Sequence, residues 1–350
     1  MRWHRIVGVV GALVALGPLA GCGGGTGGGG PDGSGAGLRS APGPGAPVTV
    51  DGSSPVYRLS MAAQEAYDEE KPGARIVVDY HGTGGGFGRY IQGEVDIVDA
   101  SRAAKPDEEA QAKQKGFAWT RFLVGHDGIT VVVNPRNDFV KSLTVEQLKR
   151  LWEPGSQVRT WKDLDPSWPN RKINLYSPDD DSGTFDFFTE AVVGKAKAQR
   201  QDDVQASSDD NVLVTGVEGD PDGLGYFGYA YYAAQAQRLR AVPIRNGTGA
   251  EPVLPSPETI LSGAYAPLAR PLYIYVKNAA MQRPEVADFV TFYIQRGADL
   301  AHQGGYVPPT DSELAVNRDA LKGLTSGGMT AEMVTPGPAP KSSAPASASP

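Results

Sequence analysis

Apolar positions recur at helical spacing at Val56, Leu59, Ala63, Ala66 and Tyr67 and stop before Pro72-Gly73, after which Ile76, Val78 and Tyr80 follow at a spacing of two. The first pattern predicts an amphipathic helix and the second a half-buried strand. The alternation continues along the chain. Thr83 to Gln92 reads as a helix after a glycine-rich turn, Val95 to Ala100 as a strand, Pro106 to Lys115 as a polar helix and Ile129 to Val133 as a buried strand. A helix over Thr144 to Leu151 has its cap at Ser142 or Thr144; Lys172 to Tyr176 is a strand and Phe185 to Val193 a helix. Asn211 to Val217 is a short helix, and Leu224 to Tyr232 a strand running into an aromatic turn. Leu272 to Val276 is a further strand, and Val286 to Arg296 a helix whose Phe289, Phe292 and Tyr293 read as core. Strands alternating with helices predict an α/β fold of three-layer lobes with mainly parallel sheets.

The ends of the chain are of a different kind. Arg2 and Arg5 precede an apolar run from Ile6 to Ala20, followed by Leu19-Ala20-Gly21-Cys22. This has the charged, apolar and small-residue parts of a secretory signal over 1–21. Cys22 is the only cysteine, so no intrachain disulfide forms, and its position is similar to the lipidation site of bacterial lipoproteins. Residues 22–47 are mostly Gly, Ser, Pro and Ala and read as a leash, and 335–350 as a Pro/Ala/Ser tail, because neither buries enough apolar surface to offset its ordering entropy. A core of about 290 residues is left, long enough for two domains. With Arg2 and Arg5 removed, 31 basic residues face 40 acidic ones. That balance argues against nucleic acid, and it means that any bound anion is held by local dipoles and hydrogen bonds.

Candidate chemistry lies in four turns rich in small polar residues: Asp51-Gly52-Ser53-Ser54, His81-Gly82-Thr83-Gly84-Gly85-Gly86, Asp99-Ala100-Ser101-Arg102 and Asp181-Ser182-Gly183-Thr184. In open α/β sheets such turns sit at the carboxyl ends of strands, where ligands bind. Ser182-Gly183-Thr184 offers hydroxyls and a bare glycine amide at a helix start, which suits a tetrahedral oxyanion, although it is equally an ordinary N-cap. The glycine run lacks the Lys-[Ser/Thr] of a nucleotide loop and the spacing of a dinucleotide fingerprint. Arg102 can present a planar fork to two oxygens of one anion. A nearby Asp is compatible with a monohydrogen oxyanion that donates its proton, and rejects sulfate by lone-pair repulsion.

Taken together, several segments carry a resemblance: Gly52-Ser53-Ser54, Gly82-Thr83-Gly84-Gly85-Gly86-Phe87, Val95 to Arg102, His126 to Asn134, Asp181 to Asp186, Ser208 to Val214 and Gly225 to Tyr231. In this order, from about Val48 to Val307, they resemble the phosphate-binding lipoproteins of phosphate-specific ABC transporters. The resemblance implies a type II periplasmic-binding-protein fold, with two lobes joined by a hinge. One lobe would comprise 48–124 and 271–334, the other 125–270. It also implies phosphate ligands at Ser54, Thr83 and Ser101 in the first lobe and at Ser182, Gly183 and Thr184 in the second, with Arg102 as guanidinium. Two departures stand out. Pro55 has no N–H where the family often has a ligand-binding amide, leaving Ser53 or a water to replace it. An Arg that many members carry before Ser-Gly-Thr is missing from Ser177-Pro178-Asp179-Asp180, and Ser101 stands where many have Asp. Asp99 and Asp181 are the candidates for accepting the ligand proton.

The leading expectation is a monomeric receptor, lipid-anchored through Cys22 to the outer face of a bacterial membrane, which binds inorganic phosphate and passes it to a permease. It needs no cofactor or metal. An anion-binding signalling or adhesive lipoprotein is the alternative. A phosphate-ester hydrolase using Ser182 ranks lower, since His81, His126 and His302 are scattered and no Gly-x-Ser-x-Gly elbow surrounds Ser182.

Overall fold

The computed structural model describes residues 45–180 and 182–326. The signal, Cys22, most of the leash, Asp181 and the tail therefore lie outside the described residues.

The first half alternates strands and helices: β1 (Val48–Gly52), α1 (Ser54–Glu70), β2 (Ile76–Tyr80), α2 (Gly82–Ile91), β3 (Ile97–Ala100) and α3 (Pro106–Gln114). Helix α1 forms where expected, with Val56, Leu59, Ala63 and Tyr67 buried on one stripe and Pro55 in the first turn. A proline is tolerated there because that N–H has no intrahelical partner. Burying a side chain such as Leu59 stabilises the fold by roughly 1.5–3 kcal/mol. Strand β4 (Trp119–Val133) then runs for 15 residues.

The next segment holds β5 (Leu143–Thr144), α4 (Val145–Trp152), α5 (Trp161–Leu164), β6 (Asn174–Pro178) and α6 (Gly183–Phe188), which continues into a π-turn over Thr189–Val193. After it come β7 (Val204–Ser207), α7 (Asp210–Gly219), β8 (Gly223–Gly228), α8 (Tyr229–Ala234), β9 (Arg240–Ala241), β10 (Ile244–Arg245) and α9 (Pro257–Leu261). Strand β11 (Ala269–Lys277) returns along β4, and α10 (Pro284–Gln303) and α11 (Asp311–Thr325) finish the described chain.

The strands order as β2-β1-β3-β11-β4-β8-β6-β7. Strand β4 joins the two halves: Trp119 to Gly128 pair with β11, and Ile129 to Val133 pair with β8. Apolar side chains from 48–124 and from 272–324 pack into the cores on one side of this junction, and those from 129–268 into the cores on the other. Both halves are thus layered α/β lobes built on the two ends of β4.

The structure differs from the sequence expectation in several places. The outer strands are parallel, but β11 runs antiparallel to both β3 and β4, and β4 antiparallel to β8, so the sheets are mixed. The strand expected over Ile129–Val133 is only the end of β4, whose Arg121, His126 and Asp127 interrupt the apolar pattern and hide its first ten residues. Their burial comes from partners elsewhere in the chain. Tyr229 to Tyr232 lie in α8 rather than a turn. Helix α10 runs on to Gln303, beyond the span expected for it, and α11 forms although its many polar residues leave only a short apolar stripe to declare it.

Candidate functional site

The carboxyl ends of β1 and β3 and the start of α2 come together at one end of the first lobe. The Ser53 amide donates to the Asp99 carbonyl at 2.9 Å, and the His81 amide donates to the Gly52 carbonyl at 3.1 Å. Gly52 makes this approach feasible, with φ +148° and no side chain: a Cβ there would lie 2.0 Å from the Asp99 carbonyl oxygen. The corner delivers Thr83 to Ser101. The Ser101 amide donates to the Thr83 Oγ1 at 3.2 Å, and the two hydroxyl oxygens lie 3.3 Å apart.

Arg270 completes this cluster. Its Nη1 donates to the Ser101 Oγ at 3.1 Å, while Nε and Nη2 approach Asp127 Oδ2 at 3.4 Å. Arg270 and Asp127 are cross-strand partners on β11 and β4, which is why they pair. The guanidinium carbon sits 3.5 Å from the centre of the Phe187 ring, a second-lobe residue. Burial pushes the Arg270 pKa down and the Asp127 pKa up, and their mutual attraction offsets part of both shifts. Arg58 adds positive potential at Asp127 and at Asp210, whose carboxyl burial raises to about 6.

The second lobe meets the first through α6. Ser182 caps it, its oxygen accepting the Thr184 amide at 3.2 Å. Gly183 lies against the start of α1, where a Cβ would be 3.2 Å from the Pro55 nitrogen. Ser54 Oγ donates across this junction to Asp186 Oδ2 at 3.1 Å. Three contacts therefore bridge the lobes at one place: Ser54 with Asp186, Pro55 with Gly183, and the Ser101–Arg270 pair with Phe187.

The structure brings Ser54, Thr83, Ser101, Gly183 and the Ser182 turn into these contacts. Ser53 is buried beside them as the N-cap residue of α1, but its side chain makes no capping bond. Arg102 is placed otherwise. Its fork is occupied by Glu108, with bonds of 2.8 Å from Nη1 to Oε2 and from Nη2 to Oε1, and the guanidinium on Ser101 is that of Arg270. Arg270 had no local signal, being a single arginine before a proline and a strand. Asp186 was visible in the motif but reads as an acidic first-turn residue favoured by the helix dipole.

Asp99 points under α1. Ser60 donates to its Oδ1 at 2.8 Å, Tyr293 lies beyond at 3.2 Å from the Ser60 oxygen, and Oδ2 is buried with no partner. Burial raises this carboxyl to about 8, helped by the charge of Asp51 and opposed by the Ser60 bond. In the unfolded chain it titrates near pH 4, so folding takes up a proton between about pH 4 and pH 8. The stability this proton provides is complete below pH 4 and lost as the pH rises through the folded value, a few kcal/mol in all. Asp99→Asn removes that slope. In thermal melts its advantage over the wild type should grow by several degrees between pH 5 and pH 8; a constant difference would place the charged form in the folded protein.

A family model described as a PBP superfamily domain matches residues 30–296. Phosphate-binding protein PstS from Staphylococcus epidermidis is 36% identical over 325 residues, covering 92% of this chain and 94% of its own. The chain belongs to the phosphate-binding proteins of the PBP superfamily. Protein SphX from Synechocystis sp. is 44% identical over 264 residues, 75% of this chain and 78% of its own. A crystal structure described as a possible phosphate binding protein from Planctomyces limnophilus superposes with a TM-score of 0.77 at 42% identity, covering 80% of this chain and 98% of its own.

Proposed function

We propose that this protein is an extracytoplasmic receptor that captures inorganic phosphate between its lobes and delivers it to the membrane permease of an ABC transporter. The observation that carries the reading is the convergence of Ser54, Thr83 and Ser101 from one lobe with Asp186 and the Ser182-Gly183-Thr184 turn from the other, and buried Arg270 at the boundary between them. Hydroxyls and amides supply directional donors for an oxyanion, and Arg270 supplies a planar charged fork in a dry setting, where a charge-assisted bond counts most. The relatives named as phosphate-binding proteins support the same ligand. Domain closure stabilised by the ligand's differential affinity would be the working motion, with 48–124 and 271–334 moving against 125–270. In this reading Arg270, rather than Arg102, supplies the guanidinium, and binding requires no covalent step at Ser182.

The tether is part of the same reading: acyl chains on Cys22 would hold the receptor, as a monomer, at the outer face of a bacterial membrane. Equilibrium dialysis with labelled phosphate and labelled sulfate tests the ligand. Saturable phosphate binding at one ion per chain, with sulfate failing to compete at equal concentration, is the expected result. Absent phosphate binding, or equal binding of both, would end the proposal.

A further inference from the structure

The Ser182-Gly183-Thr184 turn lies in an acidic stretch. Between Asp179 and Glu190 the chain carries five carboxylates and no lysine or arginine, so an anion approaching the turn meets like charge along the local sequence. A cation reaches this stretch from further along the chain. Lys197 Nζ donates to the Asp180 carbonyl at 3.0 Å. At Asp186, burial raises the carboxyl pKa, and the charge of Lys197 opposes it ahead of the Ser54 bond and Arg270.

The backbone holds Lys197 there under strain. Its φ is +62°, in the left-handed region that glycine takes freely and residues with side chains rarely adopt. Its amide donates to Thr189 Oγ1 at 2.8 Å, and that buried hydroxyl in turn lies 2.8 Å from the Phe185 carbonyl oxygen and 3.1 Å from that of Asp186. Gln199 and Arg200, which follow, are anchored in the second lobe: Gln199 Nε2 donates to Ser177 Oγ at 2.9 Å, and Arg200 Nη1 donates to the Val158 carbonyl at 2.8 Å. Residues 197–200 thus tie together the end of β6, the approach to the turn and the helix after it.

We propose that Lys197 is a positioning residue for anion binding, whose ammonium group clamps the approach to the Ser182-Gly183-Thr184 turn and offsets the negative charge around it. This rests on the phosphate reading above and names what makes an acidic turn fit for an anion. Lys197 is exposed, and it acts through the Asp180 carbonyl and through its charge rather than by touching the ligand. A lysine held where glycine would sit without strain points to a role other than stability.

Lys197→Gly separates the two roles. Glycine relieves the left-handed backbone and keeps the amide bond to Thr189, so the melting temperature should stay within about two degrees of wild type or rise. Phosphate affinity, measured by calorimetric titration of the full chain at low ionic strength, should fall about tenfold. Lys197→Arg keeps a charge and a donor for the Asp180 carbonyl and should stay within about threefold of wild type. A loss below about threefold in Lys197→Gly, or Lys197→Arg binding as weakly as Lys197→Gly, would overturn the inference. So would a fall of more than about two degrees in the melting temperature of Lys197→Gly, since the role would then be structural. If the wild type itself binds no phosphate, the receptor reading fails and takes the inference with it; if the wild type binds and Lys197→Gly binds equally, the failure belongs to Lys197 alone.

Discussion

Replacing Arg270 by methionine should weaken phosphate binding by a factor on the order of 10³, corresponding to about 4 kcal/mol. The side chain is only 10% exposed, donates to Ser101, pairs with Asp127 and packs on Phe187. It is therefore both the charge nearest the two first-lobe hydroxyls and a link between lobes. Removing it also leaves Asp127 buried without its partner, so part of the loss would come from that carboxylate. Pairing Arg270→Met with Asp127→Asn separates the two effects: the double variant should recover thermal stability but not phosphate affinity. Arg102→Gln is the contrast, because its guanidinium is already satisfied by Glu108; a loss of no more than about tenfold is expected. Calorimetric titration of the three variants checks this. Phosphate affinity within threefold of wild type in Arg270→Met would remove Arg270 from the site, and a thousandfold loss in Arg102→Gln would reinstate the other arginine.

The second large effect concerns stability. Gly52→Ala would put a methyl group 2.0 Å from the Asp99 carbonyl oxygen at a φ of +148°, a backbone conformation that residues with side chains rarely adopt. The neighbouring atoms are backbone, so β1 and β3 would have to separate, losing the Ser53-to-Asp99 bond and the register of Gly52 against Asp99. A destabilisation of about 4 kcal/mol is expected, a fall of roughly 10 °C in melting temperature for a chain of this size. Scanning calorimetry reads it directly. A melting temperature within two degrees of wild type would mean that the corner is looser than its contacts indicate. Since Ser53 and Ser54 follow Gly52, whatever folded protein remains should also bind phosphate more weakly.

The residues that were legible in the sequence share a property: their role is local. Val56, Leu59, Ala63 and Tyr67 declare a helix because a single stripe of one element buries them, and Ser182 declares a cap because its bond spans two residues. The turn residues Ser54, Thr83 and Ser101 were legible as small polar groups at strand ends, where α/β folds place ligands. The first ten residues of β4 were not, since Arg121, His126 and Asp127 look like solvent-facing positions until their partners arrive from distant segments. His126, for instance, is buried against Val307 and Glu313.

Arg270 and Asp186 belong to the same class. Arg270 lies 169 residues from Ser101, and Asp186 lies 132 from Ser54, so no spacing rule links either pair. Arg102 is the natural choice for the guanidinium because it adjoins Ser101, yet Glu108, in the first turn of α3, satisfies it first.

The amino-acid sequence by itself determined the alternating α/β elements, the strand-end turns with their hydroxyls, and the likeness to a phosphate-binding family, because propensity, periodicity and capping act over a few residues. Only the tertiary structure decided which arginine reaches Ser101, which carboxylate accepts from Ser54, and that the central strands run antiparallel. Those depend on how β4 and β11 bring remote segments together, and burial and charge pairing act through space rather than along the chain.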